Sequence, residues 1–444
     1  MAPRRGLPPF GGGRGERPII IMKRKRNSPW VWIPTLFATE AIVSATITYV
    51  AILMFYQLGA SYTKATFLAA LLMIPSMGKA FIPWNHKWNV VLKLVLIATN
   101  ILLFIAFLIT AFVIDHPQSN IYMVFASLFA VAVLNALNEK FIALYYDNLL
   151  NRGMQRILGN YKFVSTQISF ILTYGILIIF VGFHEIFFRN IHLAWSMEYY
   201  MVAGVLLILL IFNSILLAKP RIRSEVTHTH HYKRMSNSKI RLRNLRFFLI
   251  VATLLLPQSL LFFSRVFFLI APDSHGGLDF TLQDIGFAQG TIGVLAFMTG
   301  TFIGQHLIRR FGNKRMFWIM IPPLLASPVF YLVVFLFFMP ASLMTICLLT
   351  FASQLCFGFG LNVCIFLIQR TTDVFEDNII SLMHVPLVSL AMFIPLALSG
   401  LLLQTLQFKY FFIVDAALSV IALYIILQNR NFINRHIIDY KKIK

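Results

Sequence analysis

Residues 219–246 read KPRIRSEVTHTHHYKRMSNSKIRLRNLR, and this polar stretch decides the fold. Nowhere else between the first and last apolar runs does the chain stay polar for so long. Six apolar runs precede it, at 31–57, 61–83, 89–113, 119–146, 162–183 and 197–218. Six follow it, at 246–271, 283–308, 316–339, 341–368, 377–404 and 408–427. Each is close to the roughly 20 residues a helix needs to cross a bilayer. Gly59, the Pro83–Lys87 segment and Pro340 mark the tightest turns between runs, as Gly and Pro punctuate helices. The pattern predicts an all-α membrane protein with twelve transmembrane helices in two six-helix halves. The expected parts are a disordered basic tail over 1–29, a first half over 30–218, a linker over 219–245, a second half over 246–428 and a basic tail over 429–444.

Composition excludes the alternatives. The 444 residues are 59% hydrophobic and 12% charged. Soluble domains carry about 25% charged residues, and disordered chains are poor in apolar ones. Three cysteines, Cys347, Cys356 and Cys364, cannot staple a chain of this length. The net charge of +22 is read from position. With twelve spans, Lys64, Arg189 and Lys409 fall on the side opposite the termini, and Lys79, Lys140 and Arg265 lie within helices. All other Lys and Arg fall on the terminus side. Cytoplasmic segments retain basic residues in this way, so both termini and the 219–245 linker are expected in the cytoplasm. The basic excess then needs no nucleic acid to explain it. Residues 1–21 are rich in Gly, Pro and Arg and lack a signal-peptide core. Either translation starts at Met22 or this segment is a disordered tail.

Ionisable groups inside a membrane are costly and mark functional sites. The candidates are Glu40, Lys79, Glu139, Lys140, Arg265 and Asp415. Glu40 lies about ten residues into its helix, or roughly 15 Å at 1.5 Å per residue, close to the midplane. A carboxyl group there can load and release a proton as a cavity changes sides. It can equally be a buried partner of Lys79, Lys140 or Arg265. Helix 4 reads VLNALNEKFIALYYDNLL from Val133. Asn135, Asn138 and Glu139 share a face at i, i+3 and i+4, with Lys140 about 100° away. Such a stripe is a cavity wall or a set of interhelical hydrogen bonds. Arg265 suits a carboxylate or phosphate held bidentately, or a salt bridge to Glu40 or Glu139. Asp415 is expected to be structural. The glycines of helix 8, from Gly286 to Gly304, are read as a packing stripe. His228, His230 and His231 are read as a plain polar loop. The chain has no GxxxxGK[ST], HExxH or GxSxG, so no enzyme activity, metal or cofactor is expected.

Three stretches carry a resemblance. From Gly300 the chain reads GTFIGQHLIRRFGNKRMFW. This resembles the major facilitator signature, with Gly304, Arg310, Gly312, Lys314 and Arg315 matching and Arg309 at its acidic position. LLMIPSMGKAFIPW from Leu71, with Pro75, Lys79, Phe81 and Trp84, is similar to a motif of the AmpG-type muropeptide permeases and acetyl-CoA transporters. So are CFGFGLNVCIFLIQR from Cys356 and the run from Asn378. The resemblance implies a secondary transporter, proton-coupled, that moves a small anionic, muropeptide-like or acyl-bearing solute by alternating access. It implies a bacterial inner membrane, a lipid bilayer and a small-molecule substrate as partners, and a monomer. It also places helices 1, 4, 7 and 10 around one central chamber. Glu40, Asn135, Glu139 and Arg265 lie on three of these helices, and Gln354 and Asn362 on the fourth. Asn138, Lys140 and Arg265 join them as substrate-binding candidates, and Glu40 and Glu139 are the proton carriers. The other classes considered are a sensor or assembly factor on the same scaffold, its core filled by Phe and Leu, and an intramembrane transferase with converging catalytic groups.

Overall fold

The computed structural model describes residues 29–82, 91–116, 118–150, 152–217, 238–339, 341–374 and 379–434. Trp84, the three linker histidines, residues 1–28 and residues 435–444 lie outside the described residues. Twelve helices account for the apolar runs. The first half holds α1 (Pro29–Gln57), α2 (Tyr62–Leu71, continued by short turns to Phe81) and α3 (Leu92–Asp115). It is completed by α4 (Ile121–Leu149), α5 (152–188) and α6 (Ile191–Leu216). The second half holds α7 (Ser238–Ile270), α8 (Leu282–Phe311), α9 (Asn313–Phe337), α10 (Leu343–Val374), α11 (379–406) and α12 (408–428).

Two details depart from the apolar pattern. Among the described residues, ten helices are each long and apolar enough to span alone. The other two crossings come from α2, which is broken, and from α11 and α12, which run on through one residue. Pro75 has no N–H to bond the Leu71 carbonyl, so α2 stops at Leu71 and restarts at Ile74. Gln407 carries the α11–α12 turn with φ of 59°. In addition, α7 begins at Ser238, inside the segment read as linker.

The helix starts opposite the termini are capped by side chains. Ser61, Asn120 and Asn190 accept backbone N–H bonds, and Thr281 forms a reciprocal capping box with Asp284. At the α8–α9 turn Gly312 has φ of 80°, which a residue with a Cβ rarely adopts. The basic signature residues therefore sit at a real turn: Arg310 and Arg315 both lie over Phe311, at 5.4 and 5.7 Å. Lys314 lies in the first turn of α9.

Burial divides the molecule unevenly. Opposite the termini the core is continuous across both halves, joining Val50, Leu53 and Phe55 to Phe263, Phe267 and Phe412. At the terminus end there are two cores, one per half. Trp32, Phe37 and Tyr145 belong to the first, and Met320, Leu324 and Leu367 to the second. The cores of the halves are thus fused at one end and divided at the other, where Phe163 of α5 still packs against Phe302 of α8 at 5.5 Å.

The fused end is a seal. Thr66 Oγ1 of α2 donates to the Ala397 carbonyl of α11 at 3.4 Å, and Thr63 Oγ1 donates to Gln404 Oε1 at 2.6 Å. Tyr56, Tyr62, Phe267 and Phe408 stack beneath them. On the other flank α5 meets α8. A Cβ on Gly290 would meet the Tyr174 carbonyl and the Gly175 backbone, so only glycine permits this approach. The stripe on α8 therefore serves two partners. Gly286 and Gly290 face α5 across the halves, and Gly293, Gly300 and Gly304 face α10.

Candidate functional site

Below the seal, α1, α5 and α8 each contain a π-helical turn, at Thr46–Val50, Ile171–Leu177 and Gly286–Gly293. Such turns insert one residue and re-aim the side chains around it, often at functional sites. Here they deliver Thr48, Tyr49, Tyr174 and Gln289 to two cavities between the halves. The cavities measure about 310 and 370 Å3 and share Phe262 and Met392 as a common wall.

The smaller cavity centres on Glu139. Lys79 Nζ lies 2.6 Å from Glu139 Oε2. Asn135 Nδ2, Ser76 Oγ and Ser44 Oγ donate to Glu139 Oε1 at 2.9, 3.2 and 3.3 Å. The break in α2 carries Lys79 here, because a short turn over Lys79–Phe81 replaces the regular helix. Glu139 is 9% exposed and Lys79 38% exposed. This is the one ion pair among the described residues, and it ties α2 to α4 within the first half.

The larger cavity centres on Arg265, which is 9% exposed. Its guanidinium lies over the Phe262 ring at 5.3 Å. It has no ion pair among the described residues, and its buried Nε has no hydrogen-bond partner. Four glutamines surround it: Gln167, Gln258, Gln289 and Gln354. Two of them are anchored. Pro328 has no N–H for the Leu324 carbonyl, and Gln258 Nε2 donates to that orphan at 2.6 Å. Gln289 Nε2 donates to Tyr331 Oη and Thr350 Oγ1, both at 3.1 Å. Tyr174 adds a buried hydroxyl without a partner.

The expectation of one chamber is corrected to two adjoining ones. Asn135, Glu139 and Lys79 line the first, and Arg265 and Gln354 the second. Glu40 lines neither. It lies toward the terminus end, within electrostatic reach of Lys162, Glu139 and Lys79, and no hydrogen bond holds it among the described residues. Asn138 is fully buried with both amide atoms unpartnered. At i+3 it lies about 60° from Asn135, enough to turn it out of the cavity. Lys140 is half-buried and lines neither chamber. Asn362 bridges helices instead: its amide donates to the Thr301 carbonyl of α8 at 3.4 Å, against Gly304, and to the Gly358 and Phe359 carbonyls of its own helix at 3.2 and 3.1 Å. Asp415 is buried on α12 with both oxygens unpartnered among the described residues.

Three features of the interior carried no clear sequence signal. Lys162 sits over Phe37 at 4.1 Å, facing Glu40 rather than belonging to a loop. Glu198, fully buried on α6, lies at the very edge of its apolar run. Gln167, Gln258 and Gln289 are uncharged and vanish in a hydropathy profile. No group of three metal-ligating side chains converges among the described residues.

No family model matches the sequence, and no curated protein matches it. Solved structures do. The nucleoside transporter NupG aligns with a TM-score of 0.62 at 13% identity, over 93% of this chain and 99% of that one. A D-xylose-proton symporter aligns at 0.60 and 13%, over 89% and 95%. A POT family transporter in complex with a thioalcohol conjugated peptide aligns at 0.65 and 16%, over 91% and 96%. At these identities the likeness establishes the fold: the chain has the two-half, twelve-helix architecture of these transporters, the major facilitator fold.

Proposed function

We propose that the chain is a proton-coupled secondary transporter that moves a small anionic solute by alternating access. The observation that carries this reading is the pair of adjoining cavities: one holds an ion pair, and the other holds a buried cation with no counter-ion. A buried guanidinium that lacks a protein partner calls for an anion from outside the chain. Glu139 is the proton carrier. Protonation of its carboxylate removes the charge that holds Lys79, loosening α2 from α4. Glu40, set toward the terminus end beside Lys162, is the second carrier. The seal opposite the termini and the divided core at the terminus end support a molecule at rest in one of two alternating states. With the termini in the cytoplasm, as the basic residues favour, this state faces inward. A scaffold protein would be expected to fill its centre with Phe and Leu, and cavities of this size speak against that class.

The resemblance to muropeptide permeases and acetyl-CoA transporters supports a muropeptide-like or acyl-bearing solute and a bacterial inner membrane. The test is uptake into proteoliposomes under an imposed pH gradient, with muropeptides and acyl-CoA compounds as the panel. Gradient-driven accumulation is expected. Glu139→Gln keeps side-chain size and removes the titration, so it should abolish accumulation while solute exchange persists. Gradient-independent flux, or none, for every anion in the panel would reject the reading.

A further inference from the structure

The geometry points to the Arg265 cavity as selective for monoanions that have an apolar, ring-bearing body and no cationic group. This rests on the transporter reading above and sets a smaller solute class than its panel: acyl-CoA compounds carry several phosphate charges and peptide-bearing solutes carry ammonium groups, so neither suits this cavity. Among the described residues, Arg265 is the one charged residue lining the larger cavity, and no carboxylate lines it. The nearest carboxylate in the adjoining cavity is already occupied: Glu139 accepts from Lys79 on one oxygen and from Asn135, Ser76 and Ser44 on the other. A carboxylate has roughly four acceptor sites, so a solute's ammonium group finds no free anion in either chamber. Burying it there unpaired is strongly unfavourable.

The rest of the wall describes the body of the solute. Phe170, Phe262, Phe297 and Phe357 give flat apolar surface, and Tyr49 and Tyr174 add rings with hydroxyls. Neutral polar groups remain for amides or hydroxyls. Gln167 and Gln354 are buried, and the buried Tyr174 hydroxyl has no hydrogen-bond partner among the described residues. Gln258 and Gln289 have committed their amino ends to the protein, so each presents its carbonyl as an acceptor. The cavity of about 370 Å3 corresponds to on the order of a dozen waters at about 30 Å3 each. That suits a compact acid with one ring.

Three probes separate the claims: N-acetylphenylalanine (anion), phenylalanine (zwitterion) and N-acetylphenylalaninamide (neutral). Binding to the purified full chain in detergent is measured by titration calorimetry. The acetylated acid should bind roughly 10- to 100-fold more tightly than either other probe, the worth of one buried polar group left unpaired. Arg265→Gln should erase the preference over the amide, and Arg265→Lys should retain part of it. Should either variant fail to fold, the ranking on the unaltered protein decides alone. Phenylalanine binding as tightly as its acetylated form would overturn the inference. So would equal binding of acid and amide, or no binding of the acid to monodisperse protein. Binding needs no membrane and no gradient, so the two proposals fail separately. Tight acid binding without gradient-driven flux rejects transport alone, whereas gradient-driven uptake of zwitterions rejects this selectivity alone.

Discussion

Gly290 offers a direct test of whether the two halves part during the working cycle. Alanine at this position places a methyl group against the Tyr174 carbonyl and the Gly175 backbone. These are backbone atoms and cannot rotate away, so α5 and α8 must separate by on the order of 1 Å to restore contacts of about 3.5–4.0 Å. Overpacking of this kind costs about 1–3 kcal/mol, and the cost falls only on the state in which the seal is closed. The intrinsic gain of alanine in a helix applies to both states and cancels. At about 1.4 kcal/mol per factor of ten, the parted state rises roughly 5- to 150-fold. The reporter is Thr66→Cys in a background with Cys347, Cys356 and Cys364 replaced by alanine. Thr66 is fully buried in the α2–α11 contact, so an impermeant maleimide reaches it only when the seal opens. Gly290→Ala should raise the labelling rate by that factor. Gly204→Ala, on an exposed face with nothing within 4 Å, should leave it unchanged. Equal labelling in both variants would show that the α5–α8 contact is not part of a moving seal.

The remaining predictions use other elements. Lys79→Met should lower stability by about 1–3 kcal/mol, less than the roughly 3–5 of a fully buried pair because Lys79 is 38% exposed; adding Glu139→Gln should recover most of the lost Tm. Gln258→Ala strands the Leu324 carbonyl and should cost about 1–3 kcal/mol. In a Pro328→Ala background, where the helix supplies its own N–H, a thermal-unfolding cycle should show a smaller loss. Gln407→Gly should raise stability by about 1 kcal/mol by relieving the left-handed turn between α11 and α12. Reporter fusions at positions 225 and 440 should both read as cytoplasmic; an external signal at either overturns the orientation.

Much of the fold was legible because a bilayer imposes one simple rule: each crossing must be long, apolar and helical. The broken α2 shows where that rule stops. Its apolar run looks continuous, and Pro75 alone signals the break that carries Lys79 to Glu139. The site was legible where charge betrayed it, at Glu139 and Arg265, and where spacing put Asn135 one turn from Glu139. It was illegible where partners meet across distant helices. The Leu324 carbonyl that claims Gln258 is orphaned by a proline on another helix, and nothing near Lys162 in the chain announces that it turns toward Glu40. Asn362 shows the converse: its helix suggested a chamber, but the close approach permitted by Gly304 turned its amide to a helix contact.

The three π-helical turns bear on how this chain tolerates insertion and deletion. Each holds one residue more than a regular helix would over the same length. Deleting a single residue from Thr46–Val50 would leave an unbroken α-helix that still spans the bilayer and still reads as apolar. Because the residue removed is the surplus one, the helix on either side would keep its facing, whereas the same deletion from a regular stretch would rotate everything beyond it by about 100°. Tyr56, stacked on Tyr62 and edge-on to Phe267, would stay on the seal, and Trp32 and Phe37 would keep their places in the terminus-end core. These turns are therefore the places in the three helices where a one-residue deletion is absorbed, whereas the same change in a regular stretch re-registers a whole helix face.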